Sequence, residues 1–441
     1  MARSKQLVLL AGLLVAGTVG GLAAQFARDV TAFIIIDLLQ GVVWAVAAVV
    51  VLRRPDQRPE LVLILATAVL VRLIALPAPV FLSDDINRYI WDGRVQAAGI
   101  NPYRYIPTDP ELEALRDAEI FPNINRNNYA RTIYPPVAQM LFLAANRFGE
   151  TALAVKLVFV AVEAVGIGAL LSLLRTAGRP PEHILLYAWH PLPIWEIAGS
   201  GHVDAAVVTF TTLALAAAVS GRRVWSAMAL AAAALVKFFP LVLAPALWRP
   251  ARSNLGDWRW PVALIAVIIA AYLPYIGVGP RVLGFLPGYV AEENLRSGNG
   301  FWLLDVARHV MPIPLAAYLG LAVSVVAGLS IGALSRGPGP ARSILPRATA
   351  LGTAALFFAS PHYPWYFVWL VALLTAAPWW PAWWLPLAAV LLYCGRETGN
   401  APSWVGFTLY GGFVILGAVD IVWRALSNRR PGVRRAIDCA N

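Results

Sequence analysis

Long apolar runs recur from one end of the chain to the other and constrain its fold more than any other feature. They cover residues 6–25, 31–52, 60–80, 151–174, 203–219, 259–277, 313–334 and 403–426. Each run approaches the roughly 20 residues that an α-helix needs to cross the hydrocarbon core of a bilayer. Lipid offers no hydrogen-bond partner, so backbone groups inside it must be satisfied within helices or closed barrels. The runs lack the alternation of barrel strands, and the sequence therefore predicts an all-α integral membrane protein.

Positive charge is distributed as in a membrane protein. The formal net charge is +11, although only 13% of the residues are charged. Arg and Lys cluster in short segments between the apolar runs and in the tail, at 53–58, 175–179, 221–223, 248–252, 335–342 and 429–435. This is the positive-inside pattern, which places these segments in the cytoplasm. The expected partners of the charge are membrane lipids and not nucleic acid.

With the N-terminus inside, the pattern predicts a multi-pass protein of the inner or plasma membrane with about 12 transmembrane helices. Two segments are ambiguous. Residues 135–149 are short and are expected at or partly in the interface, while Pro240 interrupts 224–247 and predicts a broken or re-entrant element. Segment 183–198 is interpreted as one span.

The predicted division of the chain has six parts. They are N-terminal transmembrane helices (1–80), a first extracytoplasmic catalytic loop with a helical element (81–134), a transmembrane core (135–277), a second extracytoplasmic loop (278–312), C-terminal transmembrane helices (313–427) and a basic cytoplasmic tail (428–441). Most of the unpaired polar side chains fall in the outer loops, so the active surface is expected to face away from the cytoplasm.

The stretch SDDINRYIWDGRVQAAGINPYRY at 83–105 opens the longest polar loop, directly after an apolar run. If 84–94 is helical, four of its polar side chains recur at i, i+3, i+4 and i+7 and share one face. They are Asp85, Arg88, Tyr89 and Asp92. Two carboxylates, a guanidinium and a phenol together at the exit of a membrane helix favour a functional role.

The same stretch leaves a purely structural interpretation open. Asp84 can cap the helix, with a solvated ion-paired turn behind it. Gly93 and Gly99 are expected to allow turns, after which Asn-Pro-Tyr at 101–103 continues as extended chain.

Five motifs follow one another along the chain. The first polar loop carries D-I-N-R-Y-I-W-D-G-R and then G-I-N-P-Y. Further along stand YPPVAQMLF at 134–142, GSGHVDAAVV at 199–208, LVKFFPLVLAPAL at 235–247 and SPHYPWYFVWL at 360–370. In this order they resemble the motifs of polyprenol-phosphate-sugar-dependent mannosyltransferases of bacterial cell envelopes, which are GT-C-type integral membrane glycosyltransferases. The chain departs from that pattern at Val203, where Asn is usual, and in about two extra spans before the first motif.

The resemblance implies transfer of a sugar, with mannose first, from a polyprenyl-phosphate donor to a lipid- or glycan-linked acceptor outside the cytoplasm. The expected reaction is an inverting single displacement, in which a base takes the proton of the acceptor hydroxyl. Asp85 aligns with the family's Asp and is the predicted base, with Asp84 as the second choice. The leaving phosphate needs positive charge more than a general acid.

Further site residues follow from that reaction. Positive charge for the donor phosphate is expected from Arg88, Lys237 and His362. The residues predicted to bind the substrates are Tyr89, Asp92, Asn101, Tyr134, His202 and Asp204.

Some of these residues also have an ordinary structural interpretation. Lys237 can extend its ammonium from an apolar run to the membrane surface. Asp204 can be a helix N-cap, and His362 can be an interfacial anchor.

Two charged pairs are interpreted as ordinary surface features. Glu292 and Glu293 are expected to form a solvated loop pair. Arg396 and Glu397 are expected to form a surface ion pair that stabilises little.

No cofactor is predicted. Asp84, Asp85, His202 and Asp204 carry oxygen or imidazole donors, so a divalent metal is possible, but no two of them have a diagnostic ligand spacing. No phosphate-binding loop motif is present. Cys394 and Cys439 are expected on opposite sides of the membrane, without a disulfide.

Two other functions remain open. The same kind of enzyme can use another sugar, such as glucose, arabinose or an aminosugar. A lipid-linked sugar flippase or a transporter would instead place charges within its helices, facing a pathway. Among the charges within predicted spans, Lys237, Glu163 and Glu196 are the candidates for such positions.

Overall fold

The protein consists of α-helices joined by short 3₁₀ and π segments in the computed structural model. The structure describes residues 2–53, 59–248, 258–335, 343–396 and 401–428, and these ranges contain no β-strand. The prediction of an all-α protein is confirmed. Glu397, Cys439 and nearly all of the predicted tail 428–441 lie outside the described residues.

The N-terminal part begins with three long helices and continues into the first polar loop. These helices are α1 (Ala2–Phe26), α2 (Val30–Leu52) and α3 (Pro59–Ala75). The loop holds α4 (Asp85–Ala97) and two 3₁₀ segments, Pro110–Leu115 and Phe121–Asn123, and it leads to α5 (Pro136–Asn146) and α6 (Ala152–Thr176). The helix predicted over 84–94 is thus present as α4, and 135–149 contains the short helix α5 packed against α4 and α6.

The middle of the chain is more broken. Its elements are the 3₁₀ segment Pro181–Ile184, α7 (Leu185–Ala188), α8 (Pro191–Pro193), the π segment Ile194–Gly199, α9 (Asp204–Val219), α10 (Arg223–Ala234), the 3₁₀ segment Phe239–Leu243, α11 (Ala244–Leu247), α12 (Arg259–Tyr272) and the 3₁₀ segment Leu273–Leu283. Helices α6, α9 and α10 pack side by side.

The C-terminal part returns to longer helices. It contains α13 (Leu286–Glu292), α14 (Trp302–Arg308), α15 (Leu315–Ser335), α16 (Ile344–Ala359), the 3₁₀ segment Pro364–Phe367, α17 (Val368–Ala376), the 3₁₀ segment Trp380–Trp383, α18 (Trp384–Ala388), the 3₁₀ segment Ala389–Gly395, α19 (Ser403–Gly406), the π segment Phe407–Gly411 and α20 (Gly412–Asn428).

Six segments of the described chain are long and apolar enough to cross a membrane. They are Ser4–Phe26, Val30–Leu52, Ala152–Thr176, Arg259–Glu292, Leu315–Leu334 and Ser403–Ser427. Shorter apolar helices of 10–17 residues include Asp204–Val219 and Ile344–Ala359. These segments identify the chain as a membrane protein. The number of about 12 spans and the side on which each loop lies stay predictions.

Prolines decide where the apolar segments break. In 224–247 the helix α10 ends at Ala234 and α11 begins at Ala244, with a 3₁₀ segment around Pro240, so the predicted break is confirmed. In 183–198 the helix is broken as well, and the expectation that this segment forms one span stays a prediction. Pro191 and Pro193 cannot donate backbone hydrogen bonds, and the segment is divided between α7, α8 and the following π segment.

A buried ion pair joins the first helices to the middle of the chain. The Arg72 guanidinium on α3 donates two hydrogen bonds of 2.7 Å to the Glu163 carboxylate on α6. Arg72 also donates to the Ala188 carbonyl, and the Tyr187 hydroxyl donates to Glu163. Glu163, one of the charges within a predicted span, therefore has a structural partner.

Gly93 lies inside α4 and not at a turn, contrary to the expectation. A β-carbon at this position would stand 2.6 Å from the carbonyl oxygen of Phe142. Glycine therefore allows α4 to approach the backbone of α5. The turn expected at Gly99 is present, with φ +77° directly after α4.

We expect Gly93→Ala to lower the stability of the protein by about 1–3 kcal/mol, the usual range for overpacking. The added methyl group would force α4 away from the carbonyl of Phe142. Gly168→Ala in α6 is the matched control, since nothing lies within 4 Å of its β-carbon position. Thermal unfolding of the detergent-purified variants checks this, and equal midpoints for Gly93→Ala and the wild type would contradict it.

Candidate active site

A cavity of about 870 Å³ opens beside the start of α4. Its walls come from segments far apart in sequence, namely 82–88, 125–135, 236–239, 285–305, 360–366, 392–396 and 401–410. Of the predicted site residues, those that line it are Asp84, Asp85, Arg88, Tyr134, Lys237 and His362. The cavity therefore collects residues from four of the five sequence motifs.

Asp85 is the first residue of α4, and its side chain is 17% exposed. Asn125 donates to its Oδ1 at 2.8 Å, and the Tyr134 hydroxyl donates to its Oδ2 at 3.2 Å. Asp84 precedes it at the N-cap position without making a capping hydrogen bond, so the capping interpretation is wrong. Asn125 donates to Asp84 as well, at 3.1 Å.

The surroundings of Asp85 favour its protonated form. Burial raises the pKa of the Asp85 carboxyl above its usual range, and the neighbouring Asp84 raises it further. Lys237, Asn125 and Arg126 lower that pKa because they favour the carboxylate. The net effect is a raised pKa, which makes the Asp85 carboxylate a stronger base than an exposed one.

Arg88 is held within the cavity wall. Its Nε lies 3.0 Å from Asp92 Oδ1, one turn along α4, and both side chains are buried. Its terminal nitrogens donate to the Ala130 carbonyl, and Gln139 donates to the other oxygen of Asp92. This network ties α4 to the segment before α5 and to α5 itself.

Tyr89 and Asp92 lie one layer behind the cavity surface. The Tyr89 ring stacks on Phe142 at 4.6 Å, and its hydroxyl oxygen lies 3.4 Å from the hydroxyl oxygen of Tyr134. Asn101 lies away from the cavity lining, where it donates to the Tyr275 carbonyl and accepts from the backbone of Tyr103.

Lys237 and Asp204 form a nearly buried ion pair. The Lys237 ammonium lies 2.6 Å from Asp204 Oδ2 and 4.8 Å from the centre of the Tyr366 ring. Asp204 is the first residue of α9, and the N-cap position belongs to the fully buried Val203. The N-cap interpretation of Asp204 and the snorkelling interpretation of Lys237 are therefore wrong.

His202 is buried between the two carboxylates of Asp85 and Glu196. Its ring nitrogens lie 4.0 Å from Asp85 and 3.4 Å from Glu196, and its ring stacks on Trp365 at 4.2 Å. Burial lowers the pKa of His202 well below its usual range, and Lys237 lowers it further, which favours the neutral form of the ring. Gly201, at φ +75°, packs against Ile86 of α4 and sets this position.

Glu292 is exposed, as expected, but it and Glu293 each bond to a residue of another segment. Arg126 donates to Glu292 at 2.5 Å, and His362 bonds to Glu293 at 2.9 Å. His362 also contacts the Gly300 carbonyl at 3.1 Å. The hydrogen bond to Glu293 raises the pKa of His362, although burial opposes it. Both glutamates therefore hold 285–305 against the other cavity walls.

Three residues of the site have no counterpart among the predicted site residues. Asn125 orients the two aspartates, Arg126 pairs with Glu292, and Arg396 lines the cavity next to Phe81. Their only signal in the sequence is membership of polar segments that follow apolar ones. The ion pair expected with Glu397 lies outside the described residues.

No cluster of three or more metal-ligating side chains occurs in the part of the chain that the structure describes. Cys394 is a free thiol.

The fold and the site together define a helical membrane protein with a partly buried carboxylate at a large polar and aromatic cavity. Residues 7–251 match the family described as alpha-(1->6)-mannopyranosyltransferase, N-terminal domain. The match covers more than half of the chain, which therefore belongs to this family and is a glycosyltransferase. The resemblance to GT-C-type bacterial mannosyltransferases is confirmed. No curated protein and no solved structure matches the chain.

We expect Lys237→Met to destabilise the protein by about 3–5 kcal/mol, because it leaves the buried Asp204 carboxylate without its partner. The double variant Lys237→Met/Asp204→Leu should recover most of that loss, since both charges are then absent. Thermal unfolding in detergent measures the two variants. A double variant no more stable than Lys237→Met would show that the pair does not stabilise the break after α10.

Proposed function

We propose that the protein transfers mannose from a polyprenyl-phosphate donor to a lipid- or glycan-linked acceptor on the extracytoplasmic side of the membrane. The observation that carries this proposal is Asp85, whose carboxylate is oriented by Asn125 and Tyr134 at the wall of the cavity. The family match supports mannosyl transfer as the reaction.

Asp85 acts as the general base in this proposal. The acceptor hydroxyl attacks the anomeric carbon and gives its proton to the Asp85 carboxylate. The bond from that carbon to the phosphate oxygen breaks on the opposite side, and the polyprenyl phosphate leaves with the electron pair. One displacement of this kind inverts the configuration at the anomeric carbon.

Asp84 is the weaker candidate for the base. Its side chain is exposed, and its hydrogen bond to Asn125 is the longer of the two. A base works best when its pKa lies close to the working pH, and burial moves Asp85 in that direction. Asp84 contributes by raising the pKa of its neighbour.

Positive charge stabilises the departing phosphate. Lys237 and His362 line the cavity and each carries hydrogen-bond donors. Preorganised donors aimed at a developing charge lower a barrier more than mobile water does. Arg88 is a weaker candidate than the sequence indicates, because its guanidinium is already bonded to Asp92 and to the Ala130 carbonyl.

The apolar part of the cavity suits the prenyl chain of the donor. Aromatic and aliphatic side chains from three segments share this wall with the charged ones. They include Phe238, Phe239, Phe285, Leu286, Trp302 and Leu392. A lipid-linked donor needs such a surface beside a polar reaction centre. The extracytoplasmic side is supported by the basic segments, which the positive-inside rule assigns to the cytoplasm.

Asp85→Asn should reduce mannosyl transfer by about 10²- to 10⁴-fold, the usual contribution of a general base. Transfer of radiolabelled mannose from synthetic polyprenyl phosphomannose to a membrane-extract acceptor measures this. Asp84→Asn is the matched control and should keep most of the activity. Equal transfer by Asp85→Asn and the wild type would exclude Asp85 as the base, and no transfer by the folded wild type would contradict the donor.

Asn125→Leu should move the acidic limb of the pH profile of kcat/KM to higher pH. Asn125 favours the carboxylate of Asp85, so its loss raises the pKa of that carboxyl and keeps the base protonated over a wider range. Asn127→Leu is the control, because its side chain contacts the Phe121 carbonyl and neither aspartate. An unchanged limb in Asn125→Leu would show that another group titrates.

A further inference from the structure

Most cations at the cavity are already neutralised by a carboxylate. Four of the lining residues belong to such pairs, each within 3.0 Å. The pairs are Arg88–Asp92, Arg126–Glu292, Lys237–Asp204 and His362–Glu293. An incoming anion must compete with the carboxylate at each of these positions, which lowers the free energy that the cation can contribute to binding.

Arg396 is different. It follows the 3₁₀ segment Ala389–Gly395 and lines the cavity. Its guanidinium lies 4.4 Å from the centre of the Phe81 ring. Within the described ranges, which leave out the neighbouring residues 397–400, this guanidinium forms no ion pair. Its side-chain contact there is with the Phe81 ring, at the lining of the cavity.

Arg396 and the proposed base, Asp85, line the same cavity. Phe81 precedes Asp85 by four residues, which span at most about 14 Å of extended chain. A guanidinium that stacks on an aromatic ring is held by its face and keeps the N–H groups at its edge free. The sugar to be transferred must lie between the base and the phosphate, and the cavity provides both positions.

We infer that Arg396 binds the phosphate of the lipid-linked donor, as its principal cationic contact. This inference rests on the proposed function and adds to it the residue that recognises the donor's charged group. The planar guanidinium matches two phosphate oxygens with two parallel hydrogen bonds. Binding there breaks no ion pair among the described residues, whereas binding at Lys237 or His362 does.

Two other arginines allow the assignment to be tested against near neighbours. Arg28 lies 5.8 Å from the same Phe81 ring but is not part of the cavity lining. Arg131 lines the cavity, and its Nε donates to the Arg104 carbonyl. Arg28 is therefore the control for the aromatic contact, and Arg131 is the competing candidate for the phosphate.

The test measures binding of polyprenyl phosphate without a sugar to the full chain in nanodiscs of phosphatidylcholine. Binding, unlike transfer, does not need the base or the acceptor. Arg396→Gln should bind about 10- to 100-fold more weakly, the usual effect of losing hydrogen bonds to a charged group. The affinity of Arg396→Lys should lie between those of Arg396→Gln and the wild type, because lysine keeps the charge but lacks the two parallel donors of the guanidinium. Arg28→Gln should bind as the wild type does.

A second arm separates the donor from the bulk bilayer as the source of the phosphate. Nanodiscs that contain phosphatidylglycerol should leave the difference between the wild type and Arg396→Gln unchanged. Competition that abolishes the difference would assign Arg396 to phospholipid headgroups and overturn the inference. Equal binding by Arg396→Gln and the wild type, a loss confined to Arg131→Gln, or no binding by the wild type would overturn it as well.

Binding of polyprenyl phosphate and transfer of mannose are measured separately, so the assignment of Arg396 and the proposed reaction can be contradicted independently of each other. A wild type that binds polyprenyl phosphate through Arg396 but transfers no mannose would contradict the proposed reaction and leave this assignment intact. A wild type that transfers mannose, with an Arg396→Gln variant of equal donor affinity, would support the reaction and refute the assignment. The thermal midpoint of Arg396→Gln, compared with that of Arg28→Gln, shows whether both variants are folded.

Discussion

A charge inside a helical membrane protein is stabilised when it has a partner, and two buried ion pairs of the described residues connect distant helices in this way. The Arg72–Glu163 pair joins α3 to α6, and the Lys237–Asp204 pair joins the break after α10 to the start of α9. Each unpaired charge would have to be taken out of water without compensation. The two ion pairs therefore connect the long helices to the shorter, broken ones.

The same kind of pairing joins segments at the polar wall of the cavity. Arg126–Glu292 and His362–Glu293 connect 285–305 with segments that lie more than 60 residues away in the sequence. The charges that favour a transporter interpretation of the sequence are part of this arrangement. Glu163 bonds to Arg72, and Glu196 accepts from the Tyr393 hydroxyl. Asp85 and Arg396 line the cavity and belong to none of these ion pairs.

Local features of the site were predictable from the sequence. The helix α4 follows from the spacing of its polar and apolar residues, and the break near Pro240 follows from the missing backbone donor. Glu292 and Glu293 were misjudged because their partners, Arg126 and His362, come from other segments. Gly93 was misjudged for the same reason, since the feature that requires glycine is the carbonyl of Phe142 on another helix.

The sequence by itself determined that the protein lies in a membrane, that it is helical, and which motifs identify its family. These properties depend on local composition and on the order of residues. Only the tertiary structure decided which charged residues form ion pairs with one another. A residue's charge is a property of its type, but its partner is set by the packing of distant helices. For this reason Arg88 and Lys237, which the sequence indicates as phosphate ligands, are held in ion pairs, whereas Arg396, expected in a surface ion pair, lies against Phe81 at the cavity.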